Sequence, residues 1–197
     1  KTFSYLPIAA KLNKTTFCIH GGLSPKLHRA DDLNIIIKRP IDKIEDNSAL
    51  SDIMWGDPSN DLNCMFNENP RGLGYLFNGK SVLQFLKASS LTRLIRAHQC
   101  FNNGFCRHFN GKCITVFSAS SYNKPLGNSS SVLQLFQKDD TIKVHVFEPL
   151  IRLSKNEAHY FKVQSSDSNN EKNRLRNRII ENANFFVGEV IELFEIK

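Results

Sequence analysis

The sequence predicts a mixed α/β (α+β) domain, and three observations carry that expectation. Thr15–Ile19 (TTFCI) is a short, apolar, β-prone run that ends abruptly at His20-Gly21-Gly22. Gly79–Ser89 spaces Val82, Leu83, Phe85 and Leu86 as one face of an amphipathic helix. Asn110-Gly111, the strongest short signal for a hairpin turn, stands between the apolar runs Phe105–Phe109 and Cys113–Phe117.

The remaining elements follow in chain order. Asp31–Ile37, with Leu33, Ile36 and Ile37, suits a brief helix stopped by Pro40. Asn47 or Ser48 can cap a helix containing Leu50, Ile53 and Met54, closed by Gly56-Asp57-Pro58. A polar loop is expected from Ser59 to about Gly74. Thr92–Ala97 is a strand leading to His98. Ser131–Gln137 and Ile142–Phe147 flank Asp139-Asp140 and make a second hairpin. Strands are therefore expected mainly toward the end of this region.

Beyond it, residues rich in Ser, Asn, Asp and Lys predict a linker. Leu175, Ile179, Ala183, Phe186, Val190 and Phe194 then recur at three- and four-residue steps, a helical pattern. That helix either docks on its own domain or binds a partner. The expected organisation is a domain over 1–152, a polar linker over 153–173 and an amphipathic helix over 174–197.

Composition sets bounds. The 197 residues suffice for one ordinary domain, or one with a short appendage, and 41% hydrophobic content is a globular value. No run approaches the roughly 18 apolar residues of a membrane span, and no secretory signal precedes the first strand. The chain starts at Lys1 in what reads as ordered sequence, so a missing upstream segment is expected. The net charge of +7 lies outside residues 153–197, which hold seven basic and seven acidic residues. Without a stripe of alternating basic and aromatic residues, that charge does not argue for nucleic acid. The five cysteines are odd in number and lack CxxC spacing. Free thiols in a reducing compartment, cytoplasmic or nuclear, explain them better than a metal site at Cys100, Cys106 and Cys113.

Four residues are candidates for chemistry. His20 and His98 each stand where an apolar strand gives out, and imidazole nitrogen suits Zn, Fe and Mn. Arg71 sits on a turn beside Gly72, where a guanidinium can reach a phosphate with paired donors or simply pair with a carboxylate. The Tyr122 hydroxyl can donate to a phosphoryl oxygen, or its ring can pack over the strand end. His28, His108, His145 and His159 have no such context.

Five ordered segments make the pattern specific: FCIHGGLSP (Phe17–Pro25), WGDP (Trp55–Pro58), NPRG (Asn69–Gly72), LIRAHQ (Leu94–Gln99) and VFSASSY (Val116–Tyr122). LPIAA (Leu6–Ala10) precedes them. In this order and spacing, over about residues 3–150, the chain resembles the C-terminal half of a serine/threonine phosphoprotein phosphatase catalytic domain. The resemblance implies a calcineurin-like metallophosphoesterase β-sandwich flanked by helices, with metals at strand ends. It implies that His20 and His98 bind one metal of a two-metal centre (Mn, Fe or Zn). Arg71 would then hold the phosphoryl group, and Tyr122 would line the site. It makes Asp57 a supporting residue and gives Arg96 no catalytic role. The implied substrates are phosphoserine and phosphothreonine proteins, with regulatory subunits as further partners. The implied reaction is direct hydrolysis by a metal-activated water.

Two departures matter. The family's GDxHG, GDxxDRG and GNHE segments, which bring the other metal ligands and the leaving-group acid, are absent from these 197 residues. The isolated chain is therefore expected to be inactive or nearly so; the alternative is a pseudophosphatase acting as a binding module. After Tyr122, Asn123 replaces a common cysteine and Lys124-Pro125 a more flexible stretch. Arg93 and Arg107 stand where the type 1 branch has hydrophobic docking residues, which argues against a type 1 regulatory groove.

Overall fold

A computed structural model describes residues 3–122 and 127–149, together with Asn156. Asn123 to Pro125, the linker apart from Asn156, and the expected helix over 174–197 lie outside the described residues.

The described chain is mixed α/β, as the sequence predicts. Its main sheet holds five strands in the order β1-β2-β6-β8-β7. These are β1 (Ala9–Leu12), β2 (Thr16–Ile19), β6 (Arg93–Arg96), β7 (Phe105–His108) and β8 (Cys113–Val116). β2, β6 and β8 run parallel, with Phe17 opposite Leu94 and Leu94 opposite Cys113. Antiparallel β1 and β7 form the edges. Central strands buried on both faces become continuously apolar, which is why TTFCI and TRLI carry so little alternation.

Between β2 and β6 come α1 (Leu33–Ile36), α2 (Ala49–Trp55) and α3 (Gly79–Ala88). Ser48 rather than Asn47 caps α2, accepting the Ser51 N–H at 3.1 Å. Asn78 caps α3 by accepting from Lys80 and Ser81. α3 lays Val82, Phe85 and Leu86 into the core with Phe17, Leu23, Ile53, Phe77 and Leu94. The rings of Phe17 and Phe85 meet at 5.3 Å.

Two expectations need correction. The stretch from Ser59 to Gly74 is not all loop. It contains β4 (Phe66–Glu68), which pairs antiparallel with β5 (Tyr75–Phe77), itself parallel to β3 (Asp57–Pro58). Strands of two or three residues are too short to show a periodicity, so the sequence hides them. Five strands precede α3, so strands are not concentrated toward the end; β1 escapes notice because all four residues of AAKL are half-buried. The expected Asn110-Gly111 hairpin does form, and it closes through a four-residue turn, since His108 pairs with Cys113. Phe109, Asn110 and Gly111 all take positive φ there.

The second hairpin, β9 (Ser130–Leu135) and β10 (Ile142–Phe147), forms a separate two-stranded sheet. Its turn is tied to the main sheet by Asp140. This carboxylate accepts from Thr15 Oγ1 at 2.8 Å and from Arg93 Nη1 at 3.0 Å. Arg93 is thus occupied holding a hairpin rather than offered to a partner.

Candidate active site

The site forms at the C-terminal ends of β2 and β6 because these strands are parallel neighbours. Cys18 is in register with Ile95, and the Ala97 N–H donates to the His20 carbonyl at 2.8 Å. His20 and His98 therefore leave the sheet at the same edge. Their rings lie 5.1 Å apart between centroids, inclined at 66°. A three-residue turn, closed by the Gln99 N–H to the Ala97 carbonyl at 2.7 Å, carries His98 at φ 61°. Left-handed backbone at a non-glycine residue costs on the order of 1 kcal/mol and is held only where the surroundings fix it.

Gly21 and Gly22 let α2 approach. Their N–H groups donate to the Ile53 carbonyl at 2.8 and 3.0 Å. A Cβ on Gly21 would lie 2.5 Å from the Ile53 carbonyl oxygen, and one on Gly22 would lie 2.1 Å from the Phe77 ring. That approach brings Trp55, at the end of α2, edge-on to His98 with centroids 5.3 Å apart.

Asp57 organises the rest. Its Oδ1 accepts from Arg96 Nη2 at 2.9 Å, and its Oδ2 accepts from Arg71 Nε at 2.8 Å and Asn69 Nδ2 at 3.2 Å. Burial alone would raise this carboxyl. The hydrogen bonds from Arg71 and Asn69, and the charges of Arg96 and Arg71, outweigh burial and hold it below the usual carboxylate range. Arg96, 1% exposed, also donates to the Gly21 and Gly56 carbonyls and to Gln99 Oε1. One buried guanidinium thus pins the segments that carry His20, Asp57 and His98.

Arg71 lies in the turn between β4 and β5 with its side chain 46% exposed. Its two Nη groups have no protein acceptor among the described residues, which leaves them available to an anion.

The electrostatics favour neutral imidazoles. Desolvation lowers the His98 pKa; the Asp57 charge opposes this, and the charges of Arg96, His20 and Arg71 reinforce it. For His20, desolvation and the Arg96 charge act in the same direction. Neutral imidazole is the form that binds a metal ion. His98 Nε2 is buried and has no hydrogen-bond partner. An orphaned ring nitrogen beside a second imidazole fits two of a metal ion's ligands. Among the described residues no group of three or more His, Cys, Asp or Glu side chains gathers to hold an ion, so the pair supplies only part of a coordination shell.

The structure brings His20, His98 and, through Asp57, Arg71 into one network. Tyr122 does not join its hydrogen bonds. It is 58% exposed, its ring packs edge-on against Phe117 at 5.2 Å, and its N–H donates to Asn128 Oδ1 at 2.9 Å. Sequence reasoning gave no role to Trp55 or Asn69, although both stand inside the WGDP and NPRG motifs. Nothing in the residue pattern marks a buried asparagine as a bridge. His108, given no context by the sequence, shares a hydrogen bond with Thr115 Oγ1 at 2.9 Å, and that hydroxyl also accepts from Arg96 Nη1 at 3.5 Å, so it borders the network through Thr115.

The calcineurin-like phosphoesterase family profile matches residues 1–102. The PP2A-like serine/threonine-protein phosphatase PPG1 of Saccharomyces cerevisiae is 35% identical over 156 residues, covering 74% of this chain and 42% of that protein. The PP2A-like phosphatase PPG1 of Candida albicans is 35% identical over 137 residues, covering 70% of this chain and 32% of that protein. A solved Saccharomyces cerevisiae protein serine/threonine phosphatase, described as similar to human phosphatase PP5, superposes with a TM-score of 0.65. It is 25% identical, over 77% of this chain and 50% of that one. The chain thus spans under half the length of the curated relatives it matches. With relatives named as PP2A-like serine/threonine phosphatases, and two histidines converging at the ends of parallel strands, the chain belongs to the calcineurin-like phosphoesterase family.

Proposed function

We propose that this chain provides the phosphate-clamp half of a metal-dependent protein serine/threonine phosphatase centre. The observation that carries the reading is the convergence of His20 and His98, 5.1 Å apart, with the buried Nε2 of His98 left without a partner. In this reading the two imidazoles hold one ion of a two-metal site built from Mn, Fe or Zn. When bound, such ions activate water and offset charge on the phosphate.

The chain's own residues do the rest of the work assigned here. Arg71 holds two oxygens of the phosphoryl group through its Nη groups. Asp57 anchors that guanidinium by its Nε edge and offsets part of its charge, so that phosphate is gripped without the arginine being pulled from its turn. Arg96 stays buried and keeps the loops in register. Tyr122, exposed on the loop after β8, lines the approach of the phosphorylated side chain. Phosphoserine and phosphothreonine proteins are the substrates, and regulatory subunits are further partners. A cytoplasmic or nuclear location is part of the same reading, resting on five free cysteines without CxxC spacing.

Two imidazoles without a carboxylate hold a divalent ion weakly, so the chain by itself is inactive or nearly so. Turnover of a phosphopeptide by the 197-residue chain with added Mn²⁺ tests this, and robust hydrolysis would overturn it. The transcript upstream of Lys1 separates the enzyme from a pseudophosphatase. GDxHG and GNHE segments there support the enzyme; a start codon at the boundary supports the binding module.

A further inference from the structure

Asn69 is the one buried residue in the turn that carries Arg71. Asn67, Glu68, Pro70, Arg71 and Gly72 are exposed, whereas Asn69 retains 6% of its accessible surface. Every polar group of Asn69 is engaged. Nδ2 donates to the Trp55 carbonyl at 3.0 Å and to Asp57 Oδ2 at 3.2 Å. Oδ1 accepts the Arg71 N–H at 3.0 Å. Its own N–H donates to the Gly74 carbonyl at 3.3 Å, and its carbonyl accepts from Gly72 at 2.9 Å.

We propose that Asn69 is the positioning residue of Arg71. Its side chain closes a ring of hydrogen bonds through Asp57 Oδ2, which fixes the guanidinium by its Nε edge and presents both Nη groups to a tetrahedral oxyanion. The inference rests on Arg71 being a phosphate clamp, as proposed above.

The physical case is one of order. A half-exposed arginine ordinarily samples many rotamers, and ordering it costs entropy. Here both ends of the side chain are held. Asn69 Oδ1 fixes the main chain at Arg71, and Asp57 Oδ2 fixes the head. The same Asn69 amide aims that carboxylate oxygen and ties it to the end of α2, where Trp55 meets His98. The anion grip and the imidazole pair thus share one support.

Inorganic phosphate is the probe, titrated into the 197-residue chain at fixed ionic strength and followed by calorimetry. Asn69→Ala is expected to weaken phosphate binding about tenfold, the effect of losing a charge-assisted hydrogen-bond network. Arg71→Ala is expected to abolish it. Asn69→Ser, whose hydroxyl can accept from the Arg71 N–H and donate to Asp57, should recover most of the affinity. Solvent exchange of the Arg71 Nε–H, slow in the parent chain, should quicken in Asn69→Ala, which a general loosening of the turn would not single out.

If Asn69→Ala binds phosphate like the parent while Arg71→Ala does not, the role of Asn69 is overturned and the clamp stands. If the parent chain ignores phosphate, or Arg71→Ala leaves binding intact, the clamp itself falls and this inference falls with it. Should Asn69→Ala fail to fold, the parent decides: an Arg71 Nε–H exchanging at the rate of a free arginine overturns the proposal.

Discussion

Asp57 Oδ1 lies 2.9 Å from Arg96 Nη2, and both side chains are sealed from water. The carboxylate turns its other oxygen to Arg71, at the protein surface. One buried charge therefore serves two arginines with different duties: Arg96 holds loops, and Arg71 faces solvent.

Breaking that buried pair from one side should be severe. Arg96→Met strips Asp57 Oδ1 and the Gly21 and Gly56 carbonyls of their buried donor while Arg71 still pairs with Oδ2, so unfolding stability should fall by about 3 kcal/mol. Urea denaturation monitored by circular dichroism measures it. A loss below about 1 kcal/mol would mean that water reaches the carboxylate.

Stability should also depend on pH in a direction set by the imidazoles. Folding lowers the pKa of His20, His98 and His108, so below the ordinary histidine value of about 6.5 the unfolded chain takes up more protons than the native one. The stabilisation is complete above that value and is lost as pH falls below it. The urea midpoint should drop between pH 7 and pH 5, and less so in His98→Asn. The depressed Asp57 carboxyl acts with the same sign in a lower window, below the ordinary carboxylate value, so the two effects separate in pH. A midpoint flat from pH 7 to pH 5 would contradict the assignment.

Divalent metal should stabilise the fold through the same pair. Millimolar Zn²⁺ or Mn²⁺ should raise the thermal midpoint by mass action, and a chelator should reverse the rise. His20→Ala or His98→Ala should each abolish it. An unchanged rise in both variants would place the ion elsewhere.

Gly22 tests how tightly the loop after β2 is packed. A methyl group there meets the ring of Phe77, itself fully buried and unable to swing away. Gly22→Ala should therefore cost about 1–3 kcal/mol or more, as overpacking does. Phe77→Leu in the same chain should restore part of that loss. Simple additivity of the two substitutions in denaturation experiments would count against direct collision.

Much of the site was legible because its residues sit at sequence-marked strand ends. A β-prone run breaking off at His-Gly-Gly, and a second at His98, can be read without coordinates. Ser48 as a helix cap and the helix over Gly79–Ala88 were readable for the same reason, since capping and helical spacing are local. The three-stranded sheet around Asp57 was not. Its strands draw their stability from pairing with one another, and each is too short to carry a pattern.

Residue order was enough to read the mixed α/β class, the succession of motifs, and His20, His98 and Arg71 as residues able to carry chemistry. Folding in three dimensions makes β2 and β6 parallel neighbours, so that residues 78 positions apart meet at 5.1 Å. It alone made Asp57 the junction of two arginines, gave Asn69 its bridge, and kept Tyr122 out of those hydrogen bonds. The reason is physical: local propensities act over a few residues, whereas burial and long-range hydrogen bonds choose among the many ways of bringing distant segments together.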